Sequence, residues 1–175
     1  RLLNASLTNG NNHIIIAKSE GKAVHFNERD VRPMGRTAAG VRAVTLESEA
    51  DKVIGMVCIS REDANLLVVS EKGFGKRSLI GDYRITKRGG KGVKTLNITD
   101  KTGKLVAIKE VIDDDELLII NRSGITIRIK VSELRVMGRA TQGVRLIKLN
   151  EDDRISSVEK IQKIDKIEQE ITSLN

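Results

Sequence analysis

Leu66-Leu67-Val68-Val69-Ser70-Glu71-Lys72-Gly73-Phe74-Gly75-Lys76-Arg77-Ser78-Leu79 reads as a β-hairpin. Four apolar residues, a polar turn ending in glycine and a second run starting at Phe74 make up the pattern. Glycine at the end of the turn supplies the positive φ that such hairpins need. The pattern occurs upstream as Ile14 to Ala17, a turn from Lys18 to Gly21, and Lys22 to Phe26. It occurs downstream as Leu117 to Ile120, a turn from Asn121 to Gly124, and Ile125 to Ile129.

A second glycine follows each hairpin at a fixed distance. Gly21 with Gly40, Gly73 with Gly92, and Gly124 with Gly143 are each nineteen positions apart, and the pairs recur at steps of fifty-two and fifty-one. A Gly-Val step then opens a third alternating run in every copy: Val41 to Leu46, Val93 to Ile98, and Val144 to Leu149. A polar turn leads to a fourth, from Val53 to Ile59, Leu105 to Val111, and Ile155 to Val158. Four strands at this period predict an all-β, propeller-like array of modules. A plain β-sandwich gives no reason for so regular a recurrence.

The blade repeats fall at about 13–60, 65–112 and 116–161. Residues 1–8 read as the end of a preceding blade, with Leu2 to Leu7 as its fourth strand. Ile161, Ile164, Ile167, Ile171 and Leu174 are spaced by three and four, which predicts a short helical or disordered tail over 162–175. Residue 1 is Arg rather than Met, so a fragment of a longer polypeptide is expected.

Composition limits what the modules can do. The 175 residues include no Trp, one Tyr (Tyr83) and two Phe (Phe26 and Phe74), so Ile, Val and Leu must fill the cores. The lone Cys58 cannot form an internal disulfide and sits in an apolar run, as a core residue of a protein kept in a reducing cytosol would. No apolar stretch approaches the ~20 residues of a membrane span. His13 and His25 stand apart from each other and from Cys58, so no metal ligand set is expected. No Gly-Lys pair is followed by Ser or Thr, which excludes a P-loop. The acidic run Asp113 to Glu116 reads as a solvated turn, and no catalytic constellation emerges.

Charge singles out one element. The formal net charge is +7, and between Lys72 and Lys94 eight cations face the single acid Asp82. At the centre lies Lys87-Arg88-Gly89-Gly90-Lys91-Gly92, where glycines let the backbone approach a surface and cations can neutralise phosphates. The cations expected to bind are Arg32 and Arg36 in the first copy and Lys76, Arg77, Arg84, Lys87, Arg88, Lys91 and Lys94 in the second. Arg128, Arg135 and Arg139 complete the set in the third. With few aromatics to stack on bases, contact with duplex nucleic acid should be dominated by the backbone and steeply salt-dependent.

The runs Val31-Arg32-Pro33-Met34-Gly35-Arg36, Tyr83 to Gly92 and Leu134-Arg135-Val136-Met137-Gly138-Arg139 to Val144 together resemble the C-terminal domain of bacterial DNA gyrase A. The resemblance covers about Leu2 to Ile161. It implies a β-pinwheel, a disc usually of six four-stranded blades that exchange strands, of which this chain is about three. It also implies a non-catalytic domain that wraps duplex DNA on a basic perimeter for an ATP-dependent type II topoisomerase in the bacterial cytoplasm. ATP, Mg, the gyrase B protein and the rest of gyrase A then belong to the holoenzyme. No cofactor belongs to this chain. The family's box, Gln-Arg/Lys-Arg-Gly-Gly-Arg/Lys-Gly, is matched by Thr86 to Gly92 with Thr in place of Gln. The homologous domain of topoisomerase IV, with degenerate boxes, is the close alternative. A protein-interaction propeller lacks its Trp or paired-Gly signatures here.

Overall fold

The computed structural model describes residues 2–161. In chain order the strands are β1 (His13–Lys18), β2 (Lys22–Asn27), β3 (Val53–Ile59), β4 (Asn65–Ser70), β5 (Phe74–Leu79), β6 (Val93–Lys94), β7 (Leu105–Val111), β8 (Glu116–Asn121), β9 (Thr126–Lys130), β10 (Val144–Arg145) and β11 (Ile155–Ile161). They form three antiparallel sheets, ordered β3-β1-β2-β6, β10-β5-β4-β7 and β11-β8-β9. The expected hairpins and fourth strands of the three copies are present. The tail helix expected over 162–175 lies outside the described residues. Among the described residues no helix is long and apolar enough to cross a membrane.

The sheets exchange strands. β6 belongs to the second copy in sequence but pairs with β2 of the first, Val93 opposite Ala23. β10 of the third copy pairs in the same way with β5 of the second, Val144 opposite Gly75. Two expectations are corrected here. The third strand is two residues long in copies two and three, and Val41 to Leu46 forms no strand. After Lys94 the chain leaves the ladder, because Thr95 and Leu96 both donate to the carbonyl of Gly21, just before β2 begins. Leu2 to Leu7 likewise forms no strand: Leu2 and Leu7 are exposed, and the segment meets the neighbouring β3 through a side chain, Asn4 Nδ2 donating to the Met56 carbonyl at 2.9 Å, and not through a backbone ladder.

The runs of four apolar residues are explained by burial on two faces. In the middle sheet Leu66 and Val68 pack toward the first sheet with Ile15, Ala17 and Val57. Leu67 and Val69 pack toward the third with Leu117, Ile119 and Ile155. All four residues of this β4 run are buried. In β8, Leu117 and Ile119 are buried while Leu118 and Ile120 stay half-buried, since no described sheet follows. Cys58 packs at the edge of the cluster on the outer face of the first sheet, and burial pushes its thiol pKa up.

Candidate nucleic-acid interface

The connection between the second strand of a hairpin and its second glycine carries the candidate residues. It starts with a 3-10 turn, Ile80–Asp82 in the second copy and Val131–Glu133 in the third. It then crosses onto the preceding copy. Thr86 N–H donates to the His25 carbonyl at 2.7 Å and Gly89 N–H to Ala43 at 2.7 Å, while Gly90 accepts from Thr45 N–H at 3.0 Å. In the third copy Met137 N–H repeats the first of these contacts on Arg77 at 2.8 Å.

This crossing explains the recurrent glycines. Gly92 (φ +83°) lies against the strand β2 backbone, and a Cβ there would stand 2.5 Å from the Ala23 oxygen. Gly21 (φ +78°) lies against the returning chain, 2.5 Å by the same measure from the Leu96 oxygen. One joint is therefore built from the first glycine of one copy and the second glycine of the next, and Gly73 with Gly143 repeats it. Gly40 and Gly124, at the two outer positions, meet nothing within 4 Å.

Side chains brace each joint. Arg88 donates from Nε to the Asp30 carbonyl at 3.0 Å and from Nη1 to the Arg42 carbonyl at 3.1 Å. Arg139, its equivalent, reaches the Lys94 carbonyl at 2.8 Å. His25 Nδ1 meets the Tyr83 carbonyl at 2.7 Å, and Arg77 Nε, four residues after its own hairpin glycine as His25 is, meets that of Leu134 at 2.7 Å.

Lys76 and Arg77 are thereby withdrawn from the binding surface. Lys76 is fully buried and donates to the Gly138 carbonyl, and desolvation pushes its pKa down to about 8. Arg77 is buried and paired with Asp113. The repeats carried a signal for this, since Val24 and Ile127 occupy the positions equivalent to Lys76. Arg128 is exposed but engaged by Glu116.

Two further expectations change. The acidic run is a solvated turn only at Asp113 and Asp114, which are exposed: Asp115 is buried and meets Arg61 at 2.9 Å, while Asp113 and Glu116 pair with Arg77 and Arg128. His13 and His25 are neighbours, with Nδ1 and Nε2 3.1 Å apart, because the β1–β2 register brings alternate residues onto one face. Burial, with His13 beside it, pushes the His25 pKa down against the pull of the Tyr83 carbonyl.

What remains exposed is a band. Arg32 and Arg36, Arg84, Lys87, Lys91 and Lys94, and Arg135 are exposed, and none forms an ion pair among the described residues. Arg88 and Arg139 are half-buried between the band and the joints. In the second and third copies these unpaired cations stand on connections whose backbone is hydrogen-bonded to the preceding copy, so they can neutralise a regular polyanion with little reorganisation.

The sequence profile of the DNA gyrase C-terminal domain, described as a β-propeller, matches residues 13–60, 64–111 and 115–162. The chain belongs to this family. The DNA gyrase A protein of Staphylococcus aureus (strain MRSA252) is 42% identical over 161 residues, 91% of this chain and 18% of the relative. The chain thus spans less than a fifth of the curated relatives it matches. A crystal structure of the C-terminal domain of DNA topoisomerase IV superposes with a TM-score of 0.86 at 25% identity, over 97% of this chain and 52% of that one. A DNA gyrase A C-terminal domain superposes with a TM-score of 0.76 at 28% identity, over 86% and 51%. The β-pinwheel expected of the gyrase family is the architecture found, and the strand exchange of β6 and β10 is its physical basis in this chain.

Proposed function

We propose that this chain binds duplex DNA along the exposed cations of its blade connections. It acts as a non-catalytic wrapping surface of a gyrase A-type protein, so that an ATP-dependent type II topoisomerase can supercoil DNA in the bacterial cytoplasm. Lys87 and Lys91 carry this reading. They stand exposed and unpaired on a loop whose backbone is bonded to Ala43 and Thr45 of the preceding copy. The proposed contacts are Arg32, Arg36, Arg84, Lys87, Arg88, Lys91, Lys94, Arg135 and Arg139. ATP, Mg and the gyrase B protein serve the holoenzyme, and nothing in this chain's chemistry calls for them.

Relaxing a closed circular plasmid with this chain bound tests wrapping. A change in linking number after the protein is removed supports it, and an unchanged linking number with tight binding points to the second reading. That reading, a topoisomerase IV-type domain that binds DNA and does not wrap it strongly, is favoured by the 0.86 superposition.

A further inference from the structure

We propose that a cleft floored by Phe74, at the joint between the second and third copies, seats phosphate groups. The cleft has a volume of about 220 Å³ and is walled by Lys72, Lys101, Arg145, Lys148 and Arg154, with Glu151 and Asp153 at its edge. Lys101 Nζ stands 5.4 Å and Arg145 Cζ 5.3 Å from the centre of the Phe74 ring, within cation–π range. Phe74 is buried, and strand pairing places Arg145 opposite it.

None of the five cations has an ion-pair partner among the described residues. The carboxylate of Asp153 is occupied by Asn121 and Ser123 and by the Arg154 N–H. Lys72 and Arg154 donate to backbone carbonyls, of Asp100 in one case and of Glu151 and Asp153 in the other. These bonds fix the two side chains in place without neutralising them. Like charges gathered at the mouth of one cleft repel, and an anion seated among them removes that repulsion.

The preceding joint is different. The positions equivalent to Lys72, Phe74, Lys101, Arg145 and Lys148 hold Glu20, Lys22, Glu49, Lys94 and Asn97. There Lys22 meets Glu47 at 2.6 Å and Glu20 meets Lys104 at 2.7 Å, so charge is balanced locally. The same backbone joint is neutral at one place and left positive at the other. The cationic version continues the Arg135–Gly143 connection through β10, so a duplex on the exposed band would reach it. The DNA backbone as the source of phosphate rests on the function proposed above; the cleft's affinity for phosphate does not.

The test uses the 175-residue chain and its Lys101→Gln/Lys148→Gln variant. Both lysines are exposed and make no side-chain hydrogen bond, so the fold is expected to persist. A Lys52→Gln/Lys130→Gln variant controls for lost net charge. One titration uses a labelled duplex over a range of salt, the other sodium tripolyphosphate. The cleft variant is expected to bind tripolyphosphate about tenfold more weakly, the loss of roughly one charge-assisted contact. Its salt slope on DNA should fall by ~0.9 per lost phosphate contact, with the control near the parent in both. Loss in the tripolyphosphate titration alone, with no DNA binding by the parent, supports the cleft and refutes the proposed function. Loss on DNA alone overturns the cleft as a phosphate seat and leaves Lys101 and Lys148 as ordinary duplex contacts. A cleft variant that matches the parent or the control in both titrations overturns the proposal, and DNA binding that still depends on Lys87 and Lys91 would leave the function standing.

Discussion

Gly92 sits against the carbonyl of Ala23, in the preceding copy, at a distance that leaves no room for a side chain. Gly21 closes the same joint from the other side, against the Leu96 carbonyl. Strand exchange thus depends on backbone meeting backbone, and the cationic connection is held in place as a consequence.

Alanine at these glycines should therefore act unequally. At Gly40 or Gly124 only the positive φ is strained, at about 1–2 kcal/mol. At Gly92 or Gly143 a clash with fixed backbone adds about 1–3 kcal/mol more. Denaturant unfolding of the four single variants measures this, and equal losses would mean that the joints do not depend on close approach.

The His25 joint should be pH-sensitive. Its pKa is lowered on folding, so the unfolded chain binds the extra proton first. The stability it contributes is complete above the ordinary imidazole value of about 6.5 and is lost as pH falls toward the lowered value. The groups facing it are His13, the Tyr83 carbonyl and the Arg84 side chain at the adjoining cavity. Melting temperature should drop as pH falls below about 6.5, and His25→Gln should flatten that drop. A parent curve that is already flat there would contradict the account.

Much of this was legible in the sequence. The apolar runs Leu66 to Val69 and Leu117 to Ile120 located strands because they are buried between sheets, and burial leaves a compositional trace. Val41 to Leu46, which alternates as well as Val93 to Ile98 does, forms no strand, because pairing depends on a neighbouring sheet that no local pattern describes. Charge alone singled out Lys87 and Lys91 as candidates, and both are exposed. Lys76 and Arg77 carry the same charge but serve the joint, and only comparison with Val24 and Ile127 in the other copies hinted at it.

Lys76 should be silent in binding. Its ammonium is committed to the Gly138 carbonyl, so Lys76→Met should leave the salt slope of DNA affinity unchanged, whereas loss of one phosphate contact lowers it by ~0.9. A reduced slope would return Lys76 to the surface.

Arg88 combines both roles. Arg88→Lys keeps the charge but cannot span the carbonyls of Asp30 and Arg42. Unfolding free energy should fall by about 1–2 kcal/mol for the two hydrogen bonds, while the salt slope stays within error. Loss of slope without loss of stability would make Arg88 a DNA contact and not a brace.

The most direct test is the salt dependence of duplex binding by the chain and its Lys87→Gln/Lys91→Gln variant. Two lost phosphate contacts should reduce the slope of log affinity against log salt by ~1.8 and weaken binding across all sequences alike. An unchanged slope and affinity would remove the glycine-rich connection from the DNA-binding surface and contradict the account.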